Sequence, residues 1–233
     1  VPCPTPMSAV LLATLGTEPQ VVTLTLHLLE NQGYEIDEVW VLHTAGQQEP
    51  SRTSLGRLRP EMDRLQANGR LRHYEEIEIW EGANPLADIE NEAGARATFR
   101  TLYNAVRRVK EQERALHLCI AGGRKTMAVY GMTTAQLLFE EQDHLWHLVS
   151  FGNLLQERRM YPRPGDEVSL VHIPVIRWST MSPATTGLAR LLDPEEAVAA
   201  VARRQEAAQE QRVRAFVEQE LTAAEREVVA LAV

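Results

Sequence analysis

Through roughly the first three quarters of this 233-residue chain, short apolar segments alternate with helical patterns. That alternation limits the possible folds more than any other feature. Residues 9–13 are apolar throughout, as in a strand buried on both faces. The next segment is expected to be a helix capped by Thr17, with Pro19 in its first turn and Gln20 at the reciprocal capping position, ending near Gly33. The pattern then repeats. Strands are expected at 36–42, 71–80, 116–121, 145–151 and 167–175, and helices at 54–67, 93–113 and 124–140. Residues 81–91 read as a polar loop.

Strands joined through helices pair in parallel by right-handed crossovers. The units are too few for a closed barrel, so the expected fold is α/β: a doubly wound, mostly parallel, Rossmann-like sheet with a C-terminal helical extension. From Asp193 the composition changes. Pro194–Glu220 lacks glycine, is rich in Ala, Glu, Gln and Arg, and reads as one long helix capped by Asp193, with an apolar stripe of Val198, Val201, Val213, Phe216 and Val217. Residues 221–233 read as a further apolar helix capped by Thr222. The expectation is that the sequence stops inside a second domain or that this helix packs on a partner. Residues 1–6 read as a flexible leader, with Met7 as a natural start. The domains are therefore drawn at 8–178 and 179–233.

Charge and composition remove several classes. Hydrophobic residues make up 44% and charged residues 24%, ordinary for a globular chain. No apolar run is long enough to span a bilayer, and no secretory signal is seen, so no membrane partner and a cytoplasmic location are expected. The two cysteines, Cys3 and Cys119, have no metal spacing. The seven histidines are scattered and read as satisfied or solvated; His144 and His147 fall on opposite faces of their strand. No metal and no cofactor are expected. A net charge of −8 argues against binding long nucleic acid, which requires a broad basic surface. It leaves room for a compact cationic pocket. Of the 24 basic residues only Lys110 and Lys125 are lysine. Lys110 reads as a solvated residue on an amphipathic helix.

Lys125 lies in one of two loops suited to chemistry. Thr14-Leu15-Gly16-Thr17 follows the first strand, and Ala121-Gly122-Gly123-Arg124-Lys125-Thr126 follows the fourth. Each is a glycine-bearing turn from strand to helix, where backbone amides and the helix dipole favour an anion. In a sheet of order 3-2-1-4-5 these strands are neighbours, and the loops share the switch-point crevice where ligands bind. Arg124 and Lys125 at a helix N-terminus oppose the macrodipole, which is easier to explain with an anion between them. The spacing is not that of a phosphate-binding P-loop, since the glycines are adjacent and Arg124 separates Gly123 from Lys125. The G-x-G-x-x-G and G-x-S-x-G patterns are absent. The Glu75-Glu76-Ile77-Glu78 run reads as a solvated strand face. The 88–92 segment (Asp-Ile-Glu-Asn-Glu) reads as a helix cap or as a loop edging the crevice.

The two loops carry a family resemblance. Leu12-Ala13-Thr14-Leu15-Gly16-Thr17-Glu18-Pro19-Gln20-Val21-Val22 and Leu116-His117-Leu118-Cys119-Ile120-Ala121-Gly122-Gly123-Arg124-Lys125-Thr126-Met127 resemble motifs of the CRISPR-associated Rossmann-fold (CARF) proteins. The branch they most resemble contains the stand-alone ring nucleases, as do residues 88–92 and 143–150. The resemblance runs over about residues 8–176. It implies a homodimer that holds a cyclic oligoadenylate across its twofold axis, most readily cyclic tetra-adenylate, whose symmetry suits an isologous interface. It also implies metal-independent cleavage, with attack by a ribose 2′-hydroxyl giving a 2′,3′-cyclic phosphate and switching off type III CRISPR signalling. By motif position Lys125, Thr14 and Thr17 are the implied catalytic residues. Leu15, Gly16, Gly122, Gly123, Arg124 and Thr126 are the implied ligand-binding residues. Neither loop contains a histidine or another evident general base, so slow turnover is expected. The alternative is a sensor that binds the ring intact and controls a C-terminal output domain. Residues 221–233 resemble the first helix of a winged-helix module, and residues 195–227, with eight acids and five arginines, are not a DNA-binding surface.

Overall fold

The computed structural model describes residues 8–152, 154, 157–177 and 193–220. The chain divides into two compact units, 1–181 and 182–233. In the first unit the order is β1 (Ala9–Thr14), α1 (Gln20–Asn31), β2 (Ile36–His43), α2 (Ser51–Ala67), β3 (His73–Glu78), β4 (Trp80–Glu81), β5 (Asn84–Pro85), α3 (Glu92–Glu111), β6 (Leu116–Cys119), α4 (Lys125–Leu138), β7 (His144–Ser150) and β8 (Val168–Ile173). The second unit contains α5 (Pro194–Glu220). The expectations for the leader and for 221–233 lie outside the described residues, as do residues 178–192.

The six-stranded sheet has the order β3-β2-β1-β6-β7-β8. The first five strands are parallel neighbours, and β8 closes the edge antiparallel to β7. The sheet is therefore the doubly wound, mostly parallel one expected. β1 is central, and every one of its residues is buried, so it has no polar face. Leu11 and Ala13 join a core cluster with Val22, Leu55, Leu58 and Met62, which places α1 and α2 over one face. α3 and α4 pack on each other, and α4 lies over the opposite face. A Cβ on Gly131 would stand 2.5 Å from Ile120 Cγ2 and 3.8 Å from Leu118 Cδ2. That glycine lets the helix approach the strand closely.

Several local expectations are corrected. Thr17 does not cap α1. Pro19 occupies the N-cap position at φ −64° and ψ −26°, with no side-chain cap; its ring already holds helical φ, so the helix begins two residues later than expected. Residues 71–80 do not form one strand. β3 ends at Glu78, and Trp80–Glu81 turns back on Asn84–Pro85 as a two-stranded ribbon that takes the last residue of the expected strand and the start of the expected loop. Lys110 is not solvated: its side chain is 6% exposed and forms an ion pair with Asp143 at 2.6 Å. The Asp143 carboxylate also accepts from the backbone N–H of Leu116 and of Glu140. Burial raises the Asp143 pKa, and Lys110 acts against that rise.

Candidate functional site

β1 and β6 are neighbours in the sheet while their crossovers lead to opposite sides, so the loops leaving them flank the switch point. The loops interlock without side chains between them. An added Cβ on Gly16 would stand 2.7 Å from the backbone N of Gly123, and one on Gly122 would collide with the carbonyl of Thr14. Gly123 has φ +79°, in the left-handed region. The Thr14 hydroxyl, wholly buried, donates to the Gly122 carbonyl at 2.7 Å and lies 3.4 Å from that of Cys119. Ser54 Oγ donates to the Gly16 carbonyl at 2.7 Å, and Leu15 N–H to the Leu42 carbonyl at 2.8 Å. Both turns are therefore held as one rigid ridge.

Two cavities flank the ridge. One, of about 430 Å³, is bounded by Thr44, Gln48, Ser51 and Asp88 from the β2–α2 and β5–α3 connections. The other, of about 250 Å³, is bounded by Glu18, Gly122, His147 and Ser150. Gly16, Thr17 and Gly123 line both. The two threonines thus part company: Thr17 is exposed between the cavities, and Thr14 is consumed by the ridge. Leu15 lines the larger cavity but is 2% exposed, so its side chain belongs to the core.

The cations also divide. Arg124 lines the larger cavity, and its guanidinium pairs with Asp88, Nε to Oδ1 at 2.7 Å and Nη2 to Oδ2. The anion implied by a cation at a helix N-terminus is, for Arg124, a carboxylate of the chain itself. Lys125 and Thr126 are exposed in the first turn of α4, where no side chain caps the helix. Lys125 makes no ion pair among the described residues, so its ammonium and the uncapped amides offer the ridge an open electropositive end. The 88–92 segment serves both readings made of it. Asp88 edges the cavity, and Asn91 caps α3, accepting from Gly94 N–H at 2.8 Å.

Elsewhere His117, His144, His172, Tyr34 and Trp146 form an aromatic cluster. Trp146 Nε1 donates to His117 Nδ1 at 3.0 Å, and burial lowers the His117 pKa to about 3. This imidazole is a neutral packing element. Among the described residues, no group of three or more His, Cys, Asp or Glu is placed to hold a metal ion. No described helix is long and apolar enough to cross a membrane.

A doubly wound, mostly parallel sheet with glycine-built turns at its switch point defines the Rossmann-like α/β class. Within that class, the chain belongs to the CRISPR-associated protein NE0113 family (Cas_NE0113), whose model matches residues 18–207. That span includes the Arg124-Lys125-Thr126 turn, both cavities except for residues 15–17, and part of α5. A comparison with curated proteins finds no match.

Proposed function

We propose that this protein binds a cyclic oligoadenylate, with cyclic tetra-adenylate the preferred ring, across a homodimer axis and cleaves it without metal, ending a type III CRISPR signal. The observation that carries the reading is the exposed Lys125 on the uncapped end of α4, beside a rigid ridge with a cavity on each side. A cyclic RNA presents alternating phosphates and bases; Lys125 lines neither cavity, so the cationic helix end suits the phosphates and the cavities beside the ridge suit the bases. α4 is also suited to meet a second copy. Lys125 is the single charged residue among its fourteen, and Val129 is 63% exposed. An isologous contact there would present each Lys125 to the same ring.

The chemistry is in-line attack of a ribose 2′-hydroxyl on the adjacent phosphate. The ridge fixes the phosphate, and the Lys125 ammonium and α4 amides stabilise the charge developing on it, so orientation and electrostatics supply most of the rate. The exposure of Thr17 at both cavities supports it, rather than the buried Thr14, as the threonine that contacts the ligand. The test is incubation with radiolabelled cyclic tetra-adenylate in EDTA. Linear products with a 2′,3′-cyclic phosphate are expected, and Lys125→Ala should abolish them. A stable complex with an intact ring would instead support the sensor reading. That reading is favoured by α5, where Val213 and Phe216 are more than half exposed and offer an output domain an apolar face. No binding at micromolar protein would overturn both.

A further inference from the structure

The loops carry no residue able to accept the 2′-hydroxyl proton, since a lysine ammonium has no free lone pair. The smaller cavity supplies one from a strand. β7 outruns β6: the two pair only from His117–His144 to Cys119–Trp146, and β7 continues to Ser150 alongside the Gly122-Gly123 turn. Side chains alternate along it, so Trp146 and Leu148 enter the core while His147 is exposed. His147 is among the residues that line the cavity also bounded by Thr17, Glu18, Gly122 and Gly123. A second observation points to a ligand there. Ser150, at the same cavity, has a buried Oγ with no hydrogen-bond partner, which a bound polar molecule would satisfy.

We propose that His147 is the general base of the ring-cleaving reaction; this inference rests on the cleavage reading above. The 2′-hydroxyl proton moves to an imidazole nitrogen as the 2′ oxygen bonds to phosphorus. The P–O5′ bond breaks, and the leaving 5′ oxygen takes a proton from solvent, to which the imidazolium then loses its own. Lys125 and the α4 amides hold the charge on the phosphoryl oxygens meanwhile. Histidine suits the task because a neutral imidazole nitrogen has a lone pair that accepts a proton and gives it back to solvent. Glu18 lines the same cavity but is engaged by the Gln20 amide at 2.5 Å.

The test compares wild type with His147→Ala, His147→Gln and Glu18→Gln in single-turnover cleavage, ring binding and melting. Both His147 variants are expected to melt as wild type and to bind the ring within about threefold, yet to cleave about 10²–10⁴-fold more slowly. Free imidazole should partly restore cleavage to His147→Ala. Cleavage within about threefold of wild type in both variants, loss of binding in step with cleavage, or failure of imidazole to rescue would each overturn the assignment. So would loss of cleavage confined to Glu18→Gln. A wild type that binds but leaves the ring intact removes the cleavage reading itself, and this inference with it.

Discussion

The Arg124 guanidinium grips the Asp88 carboxylate across the mouth of the larger cavity, from a residue 36 positions earlier in the chain. Under the proposed ring-binding function, the free protein already holds a carboxylate at the place a ligand phosphate would take. Arg124 is mostly exposed and Asp88 partly so, and such a pair is weak in water. A phosphate can exchange for it at small cost.

Asp88→Asn should therefore tighten binding of the anionic ring. An exposed pair of this kind corresponds to a gain of about 2- to 5-fold in affinity. The gain should shrink as salt rises, because exposed charges are screened. Calorimetric titration of both proteins at low and high salt checks this. Unchanged or weaker binding by the asparagine variant would mean that Asp88 aids the ligand instead of competing with it.

The glycine interlock gives a paired prediction. Gly16→Ala places a Cβ 2.7 Å from the Gly123 backbone nitrogen, which has no room to move. Overpacking of this kind costs about 1–3 kcal/mol, or roughly 3–10 °C in Tm for a domain of this size. Gly56, exposed within α2, has nothing within 4 Å of an added Cβ. Gly56→Ala should stabilise by about 0.5–1 kcal/mol through helix propensity. Thermal melts of the two variants should move in opposite directions.

The alternation of strands and helices and the long helix from Pro194 were legible in the sequence from periodicity and the rules of parallel crossovers. The order 3-2-1-4-5, assumed so that the two loops would meet, holds for the five parallel strands, and the antiparallel edge strand β8 extends it. What stayed hidden depends on side-chain direction and long-range pairing. A threonine ending a strand can turn its hydroxyl inward or outward, so Thr14 and Thr17 looked equivalent until Thr14 was found bonded to Gly122. Lys110 looked solvated because its partners, Asp143 and Glu140, come from the α4–β7 connection, 33 positions further along the chain for Asp143. His147 was placed on the face opposite His144, but its reach into the smaller cavity depends on β7 extending beyond β6, a difference in strand length that composition does not encode.

The His117 cluster predicts an acid-sensitive fold. Burial lowers the His117 pKa to about 3 in the folded state, against an ordinary value of 6.5. Below pH 6.5 the unfolded chain takes up a proton that the folded chain refuses, so stability falls as pH drops from 6.5 towards 3. Between pH 7 and pH 5 this amounts to about 2 kcal/mol for one such group. His144, its pKa also lowered by burial and by His172, acts in the same direction. Asp143, raised by burial, acts oppositely as carboxylates titrate. His117→Gln keeps an acceptor for Trp146 and removes only the first contribution. Urea unfolding at pH 7 and pH 5 should show wild type losing about 2 kcal/mol more than the variant. Equal losses would mean that His117 is protonated without penalty.

Thr14 and Thr17 should separate stability from ligand recognition. Thr14→Val keeps the shape but strands the Gly122 carbonyl, to which the buried hydroxyl donates at 2.7 Å. Loss of one such bond costs about 1–2 kcal/mol. Because the bond joins the two turns, ring cleavage should fall with it. Thr17 is exposed and lines both cavities. Thr17→Val should leave stability within about 0.5 kcal/mol while weakening the ring complex about 10- to 100-fold, the range for one hydrogen bond to a charged oxygen. Denaturant unfolding and ring-binding titrations on the two variants check the separation. If Thr17→Val binds the ring as wild type does, the first loop contributes its backbone alone, and Lys125 with the α4 amides must hold the phosphate unaided.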